Sequence, residues 1–215
     1  MSIRFFLLLL CYGSFFQLSA QTKRNLQPSD VYRTLSITGG QIAPDGNWFL
    51  YSISSIDSAK DSRKSDLWMM SWDGNTKLQL TYTPEGEGNA RWSPDGKYIS
   101  FITARNGGTS QVYVLNRQGG EAYALTNVKG ELQTYEWNPD GSKLALIIKD
   151  AEDTSKQKKN EPWVIDRYHF KQDVQGYLHD KRKSHIYLFD IKEKKLDTLT
   201  TGNYDEENIK WSPDG

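Results

Sequence analysis

The sequence predicts an all-β fold, a β-propeller of four-stranded blades, and three recurring signals carry that expectation. The first is a Pro-Asp-Gly turn at Pro44, Pro94, Pro139 and Pro213, with a tryptophan two residues ahead of the proline at Trp92, Trp137 and Trp211. The second is a Leu-Thr pair, Leu80-Thr81, Leu125-Thr126 and Leu199-Thr200, each threonine 13 residues ahead of the next turn proline. The third is a short strand with an aromatic centre, around Trp68, Tyr113 and Tyr187. Markers that recur in a fixed order mean one supersecondary unit used repeatedly. The turn prolines are 50, 45 and 74 residues apart, and a period of about 45 suits a four-stranded blade.

In chain order, the first twenty residues differ from the rest. Arg4 is their sole charge, residues 5–16 are almost wholly apolar, and Ala20 stands at a plausible cleavage point before Gln21. This is the pattern of a signal peptide over 1–20. The alternative is a short N-terminal anchor, but the apolar run falls short of the roughly twenty residues that a membrane span needs. The only cysteine, Cys11, lies inside that run, without the flanks of a lipidation site. After cleavage the chain would hold no thiol and no membrane span, and would be exported to a periplasmic or extracellular space. Residues 21–30 are a leading segment, and 31–215 form the propeller region.

Each unit divides into four strands. In the second unit, residues 89–92 enter the turn, and Pro94, Asp95 and Gly96 make it: proline presets φ, aspartate suits the next position and glycine closes. Residues 97–103 leave as a second strand, 111–116 form the third, and the tight turn at Gly119-Gly120 leads into the fourth at 121–126. The second strands, 48–53 and 144–148, are apolar at successive positions rather than alternating. Such strands are covered on both faces, which blades stacked side by side achieve and a lone sheet does not. The turn tryptophans are expected to fill the space between blades rather than to stack on a ligand. The turn aspartates Asp45, Asp95, Asp140 and Asp214 are expected to serve their own turns rather than calcium.

The long interval, Pro139 to Pro213, places an insertion at about 149–184, between the second and third strands of its unit. Residues 150–160 are charged and aperiodic, hence loop. The stretch that follows is rich in aromatics, including Trp163, Tyr168, Phe170 and Tyr177, and is expected to dock as a hairpin on one face. Arg167 and Tyr168 are worth testing for substrate contact, with surface packing the competing role. His169, His179 and His185 have no partners at metal-ligand spacing.

Composition narrows the function. The formal net charge is zero, against the basic excess that nucleic acid requires. There is no G-x-S-x-G elbow, no H-E-x-x-H, no phosphate-binding glycine loop and no C-x-x-C. No catalytic, cofactor or metal residue is assigned, and the substrate-binding residues stay open. By itself the chain describes a scaffold or a binding surface.

The run Asp30-Val31-Tyr32-Arg33, the turn at Pro44 with Trp48, then Ser65-Asp66-Leu67-Trp68 and Trp72-Asp73-Gly74 resemble the opening blade of the prolyl oligopeptidase family. The likeness is to its acylaminoacyl-peptidase and dipeptidyl-peptidase-like branch. The insertion, from Ile165-Asp166-Arg167-Tyr168 through Gly176-Tyr177-Leu178 to His185-Ile186-Tyr187, is similar to that branch too. The resemblance implies a propeller of seven or eight blades joined to a C-terminal α/β-hydrolase domain. There a Ser-Asp-His triad would cleave short peptides through an acyl-enzyme, with the propeller restricting entry. None of the triad positions is in this chain, which would hold about three blades and the start of a fourth: an incomplete propeller, a fragment without the hydrolase domain, needing no cofactor. The alternative is a non-catalytic envelope propeller of the TolB type, acting through protein contacts. A propeller lyase or glycan enzyme would need a histidine cluster that the sequence does not supply.

Overall fold

A computed structural model of the chain describes residues 24–151, 165, 168, 171–173, 176–177 and 182–215. The signal-peptide reading over 1–20, Arg167, His169, His179 and most of the insertion lie outside the described residues. Residues 24–31 form a short unit of their own. There the Arg24 guanidinium meets both Asp30 carboxylate oxygens, at 2.5 and 2.8 Å, and the Gln27 N–H donates to the same carboxylate.

From residue 32 onward three four-stranded antiparallel sheets follow one another. Blade one comprises β1 (Ser36–Ile42), β2 (Trp48–Asp57), β3 (Ser62–Ser71) and β4 (Lys77–Gln79). Blade two comprises β5 (Gly88–Trp92), β6 (Tyr98–Thr103), β7 (Gln111–Asn116) and β8 (Tyr123–Ala124). Blade three begins with β9 (Glu131–Trp137) and β10 (Lys143–Lys149). A two-stranded ribbon, β11 (Lys171–Gln172) with β12 (Gly176–Tyr177), intervenes before β13 (Ser184–Asp190) and β14 (Lys195–Thr198) complete the sheet. Lys149 and Ser184 pair across β10 and β13, so the insertion leaves and rejoins the sheet at one rung.

Two-sided burial of the second strands is the main fact of the packing. Leu50, Tyr51 and Ser52 are buried in succession on β2, Ile99, Ser100 and Phe101 on β6, and all five residues from Leu144 to Ile148 on β10. Alternate residues face opposite neighbours. Ile99, Phe101 and Leu115 of blade two join Leu50, Leu67 and Met69 of blade one in one core. Val112 and Val114 of blade two join Tyr135, Leu144, Leu146 and Phe189 of blade three in the other. The hydrophobic core therefore lies between blades.

The Leu-Thr marker has a mechanical cause. The hydroxyls of Thr81, Thr126 and Thr200 accept the backbone N–H of Leu67, Val112 and Ile186 at 2.9, 3.0 and 2.9 Å. In each blade the leucine N–H donates to the carbonyl of that same third-strand residue. The pair thus continues the ladder where the fourth strand peels away. The freed hydroxyl proton goes to Glu87 Oε2 from Thr81 at 2.6 Å and to Gln111 Oε1 from Thr126 at 2.8 Å.

The Pro-Asp-Gly turn works locally and between blades. Gly46, Gly96 and Gly141 have φ of 73, 68 and 75°, a region that suits glycine. The aspartate carboxylates accept the N–H two residues on, in Asn47, Lys97 and Ser142. The turn carboxyls are held below their ordinary pKa, chiefly by the Asn47 N–H at Asp45, by Ser93 Oγ at Asp95 and by the Ser142 hydroxyl at Asp140, with the N–H bonds adding to the last two. Gly96 stacks 3.5 Å from Pro44, and Gly141 3.7 Å from Pro94, measured from where a Cβ would stand. Successive turns therefore rest on one another.

The tryptophans pack between blades, as expected, but with unequal polar endings. Trp92 is buried in the core between blades one and two. Trp137 is half-buried, and its Nε1–H donates to Ser100 Oγ of blade two at 2.7 Å. Trp211 Nε1–H donates to the Glu136 carbonyl at 3.2 Å. Six residues after its turn proline, blade two has Ser100 where blade one has Leu50, and Trp92 Nε1 has no hydrogen-bond partner among the described residues.

Two outcomes follow for stability. Thr126→Val should cost about 1–3 kcal/mol, because a buried N–H and a buried amide oxygen each lose their hydroxyl, whereas Thr126→Ser should cost less; urea unfolding measures both. Trp137→Phe should cost about 1 kcal/mol more than Trp92→Phe, since only the former breaks a hydrogen bond. Equal losses would contradict the assignment.

Candidate functional site

The first strands of adjacent blades bring polar groups together. β1 carries an irregularity between Thr38 and Gln41, where Gly39 has φ 62° and a Cβ on Gly40 would collide with the Phe49 ring. β5 has a matching irregularity between Gly88 and Arg91. The two bulges face a hollow of about 330 Å³ bordered by Thr38, Gln41, Ser52, Glu87, Asn89 and Arg91. Arg91 lies over the Tyr135 ring at 5.6 Å and pairs with Glu136 at 3.0 Å. Lys210 reaches the same Glu136 carboxylate, and Gln41 Oε1 accepts the Trp92 N–H at 3.4 Å. Gln41, Arg91, Glu136 and Lys210 all stand three residues before a turn proline. They form a polar ladder across the seams.

A second hollow, of about 290 Å³, lies between blades two and three near the turns, lined by Pro94, Tyr98, Tyr123, Trp137 and Ile191 among others. Tyr135 is fully buried, its hydroxyl 3.0 Å from the Asn89 carbonyl and 2.8 Å from Ser100 Oγ. Burial pushes that hydroxyl well above the ordinary tyrosine pKa. The first hollow offers hydrogen-bonding groups and the second adds aromatic surface, with no serine set against a histidine in either lining.

His185 lies in the core at the start of β13. Its Nδ1 is 3.1 Å from Glu206 Oε2, and its ring meets Tyr204 edge-on. It ties blade three to the segment that follows. Among the described residues no group of three potential metal ligands occurs. In the insertion, Tyr168 and Ile165 are exposed. Sequence reasoning did not single out Ser100, Glu136, Glu87 or Arg105; aligning the repeats on their prolines was the signal that could have found them.

No family model matches the chain. It is 28% identical over 200 residues to the uncharacterized peptidase YuxL of Bacillus subtilis (strain 168), a match covering 90% of this chain and 30% of that protein. It is 30% identical over 130 residues to dipeptidyl-peptidase 5 of Porphyromonas gingivalis, covering 60% of this chain and 19% of the relative. A third likeness, 32% over 91 residues, is to the Tol-Pal system protein TolB of Francisella tularensis, covering 42% and 21%. The chain thus spans less than a third of the length of these relatives. Among solved structures, acylaminoacyl peptidase from Pyrococcus horikoshii superimposes with a TM-score of 0.59 at 16% identity, over 77% of this chain and 25% of that one. A structure assigned to TolB from Agrobacterium tumefaciens gives 0.53 at 21% identity, over 83% and 56%. In sequence and in fold, this incomplete β-propeller is similar to the propellers of the acylaminoacyl-peptidase and dipeptidyl-peptidase group of the prolyl oligopeptidase family, and it is similar to TolB over a shorter stretch in sequence and a comparable one in fold.

Proposed function

We propose that the chain is the propeller region of an exported serine peptidase acting on short peptides, with the propeller limiting which substrates reach a hydrolase domain in the same polypeptide. The observation that carries this reading is coverage. In sequence, the likeness to a peptidase runs over 90% of the chain, through the insertion of blade three, whereas the TolB likeness runs over 42%. The first-blade residues around Trp48 and Trp68 add to it.

In this reading the described blades supply shape and no reacting group. Cores between blades keep each sheet rigid, and the polar ladder from Gln41 to Lys210 holds the first strands in register. Such a wall would screen peptides by size, while a serine activated by a histidine base, downstream, would form the acyl-enzyme. That chemistry needs no cofactor. Export rests on the pattern of residues 1–20. No helix among the described residues is long and apolar enough to cross a membrane.

A TolB-type propeller acting through protein contacts is the second reading, favoured by the 32% identity to TolB over 91 residues. A fluorophosphonate probe on the full-length protein separates the two. Covalent labelling at one serine, within a G-x-S-x-G context, is expected; an unlabelled, correctly folded protein would favour the TolB-type reading.

A further inference from the structure

Glu87 and Glu206 occupy the same place in the repeat, seven residues ahead of Pro94 and Pro213. Their main chains dock alike. The Glu87 N–H donates to the Ser65 carbonyl at 2.8 Å, and the Glu206 N–H to the Ser184 carbonyl at 3.0 Å. Ser65 and Ser184 stand at the same register, two residues before Leu67 and Ile186, whose N–H groups bond to Thr81 and Thr200.

The two carboxylates end differently. The Glu87 side chain is wholly buried, and it accepts from Thr81 Oγ1 at 2.6 Å and Thr83 Oγ1 at 2.5 Å. Arg105 Nη2 lies 3.5 Å from it. Arg105 comes eleven residues after Pro94, on the short turn between β6 and β7, with its guanidinium over the Tyr113 ring at 4.8 Å and the Phe101 ring at 5.6 Å. Glu206 is 15% exposed, and its Oε2 faces His185. Its Oε1 is buried with no hydrogen-bond partner among the described residues. Gly202 stands where Thr83 does in the repeat, so that hydroxyl is missing too.

The other two repeats show what happens without the acid. Seven residues before Pro44 and Pro139 are Ile37 and Leu132, and eleven residues after them are Ser55 and Asp150. Neither has the glutamate and neither has the arginine. Acid and base occur together or not at all, as expected when a buried carboxylate must be matched by a cation.

We propose that Glu206 is the docking point for a cationic side chain, an arginine, carried by the next blade. It would stand eleven residues after Pro213, on the connection between that blade's second and third strands. Its guanidinium would reach Glu206 Oε1 and fasten the seam to blade three as Arg105 fastens the seam to blade one. A planar guanidinium suits the place, because it can lie on the blade's own rings while donating sideways. The inference rests on the chain continuing as a propeller, and it is indifferent to whether the whole protein is a peptidase.

The test uses the full-length protein. The residue eleven positions after Pro213 should be arginine; any other residue there, or a stop codon before it, overturns the proposal. Glu206→Gln and substitution of that cation by glutamine should each lower Tm by about 2–4 °C, and the double variant should fall no further than the larger single. Additive losses would also overturn it. Glu87→Gln and Arg105→Gln, whose contact is seen directly, provide the reference cycle. Loss of probe labelling with this coupling intact would count against the peptidase reading alone.

Discussion

The five residues from Leu144 to Ile148 are buried one after another, and the rest of the structure answers to that constraint. A strand presents alternate side chains to opposite faces, so a strand buried throughout must be covered twice. Each blade can cover only one face of its neighbour. Stacking is thus a condition of folding for every blade, and the cores containing Leu50 with Phe101 and Val112 with Leu146 are its result. Where a face has no blade against it among the described residues, apolar groups such as Ile37, Leu196 and Leu199 are exposed.

Apolar contact is tolerant of sliding, so polar links are needed to set the register. Three classes do this. Threonine hydroxyls bind third-strand N–H groups at the outer end of each blade. Tryptophan Nε1 groups reach back to the preceding blade at Ser100 and Glu136. Charged and amide side chains from Gln41 to Lys210 bridge the first strands. Each link joins residues about 14 to 75 positions apart, and each would be misaligned by a one-residue slip.

The repeat was legible because its chemistry is local. Proline and glycine announce the turn, and the step of 13 residues from threonine to proline reports a fixed strand length. Two-sided burial was readable from the unbroken apolar run at Leu144. What could not be read were the partners. Ser100 looks like a polar interruption in an apolar strand until Trp137 and Tyr135 are placed against it. Glu87 and Arg105 look like ordinary surface charges, because 18 residues separate them in the chain and nothing local marks either. The contact of His185 with Glu206 was equally hidden, because Glu206 arrives 21 residues later, from the following repeat.

Blades hold one another folded through shared cores, with threonine clasps fixing the strands inside each one. Native-state hydrogen exchange of the full-length protein tests it most directly. The amides of Leu67, Val112 and Ile186 should exchange only through global unfolding, all three at one rate, while those of the exposed strand β14 should exchange sooner. Exchange of these three amides at separate rates, as fast as β14, would show blades that open independently and would contradict the claim.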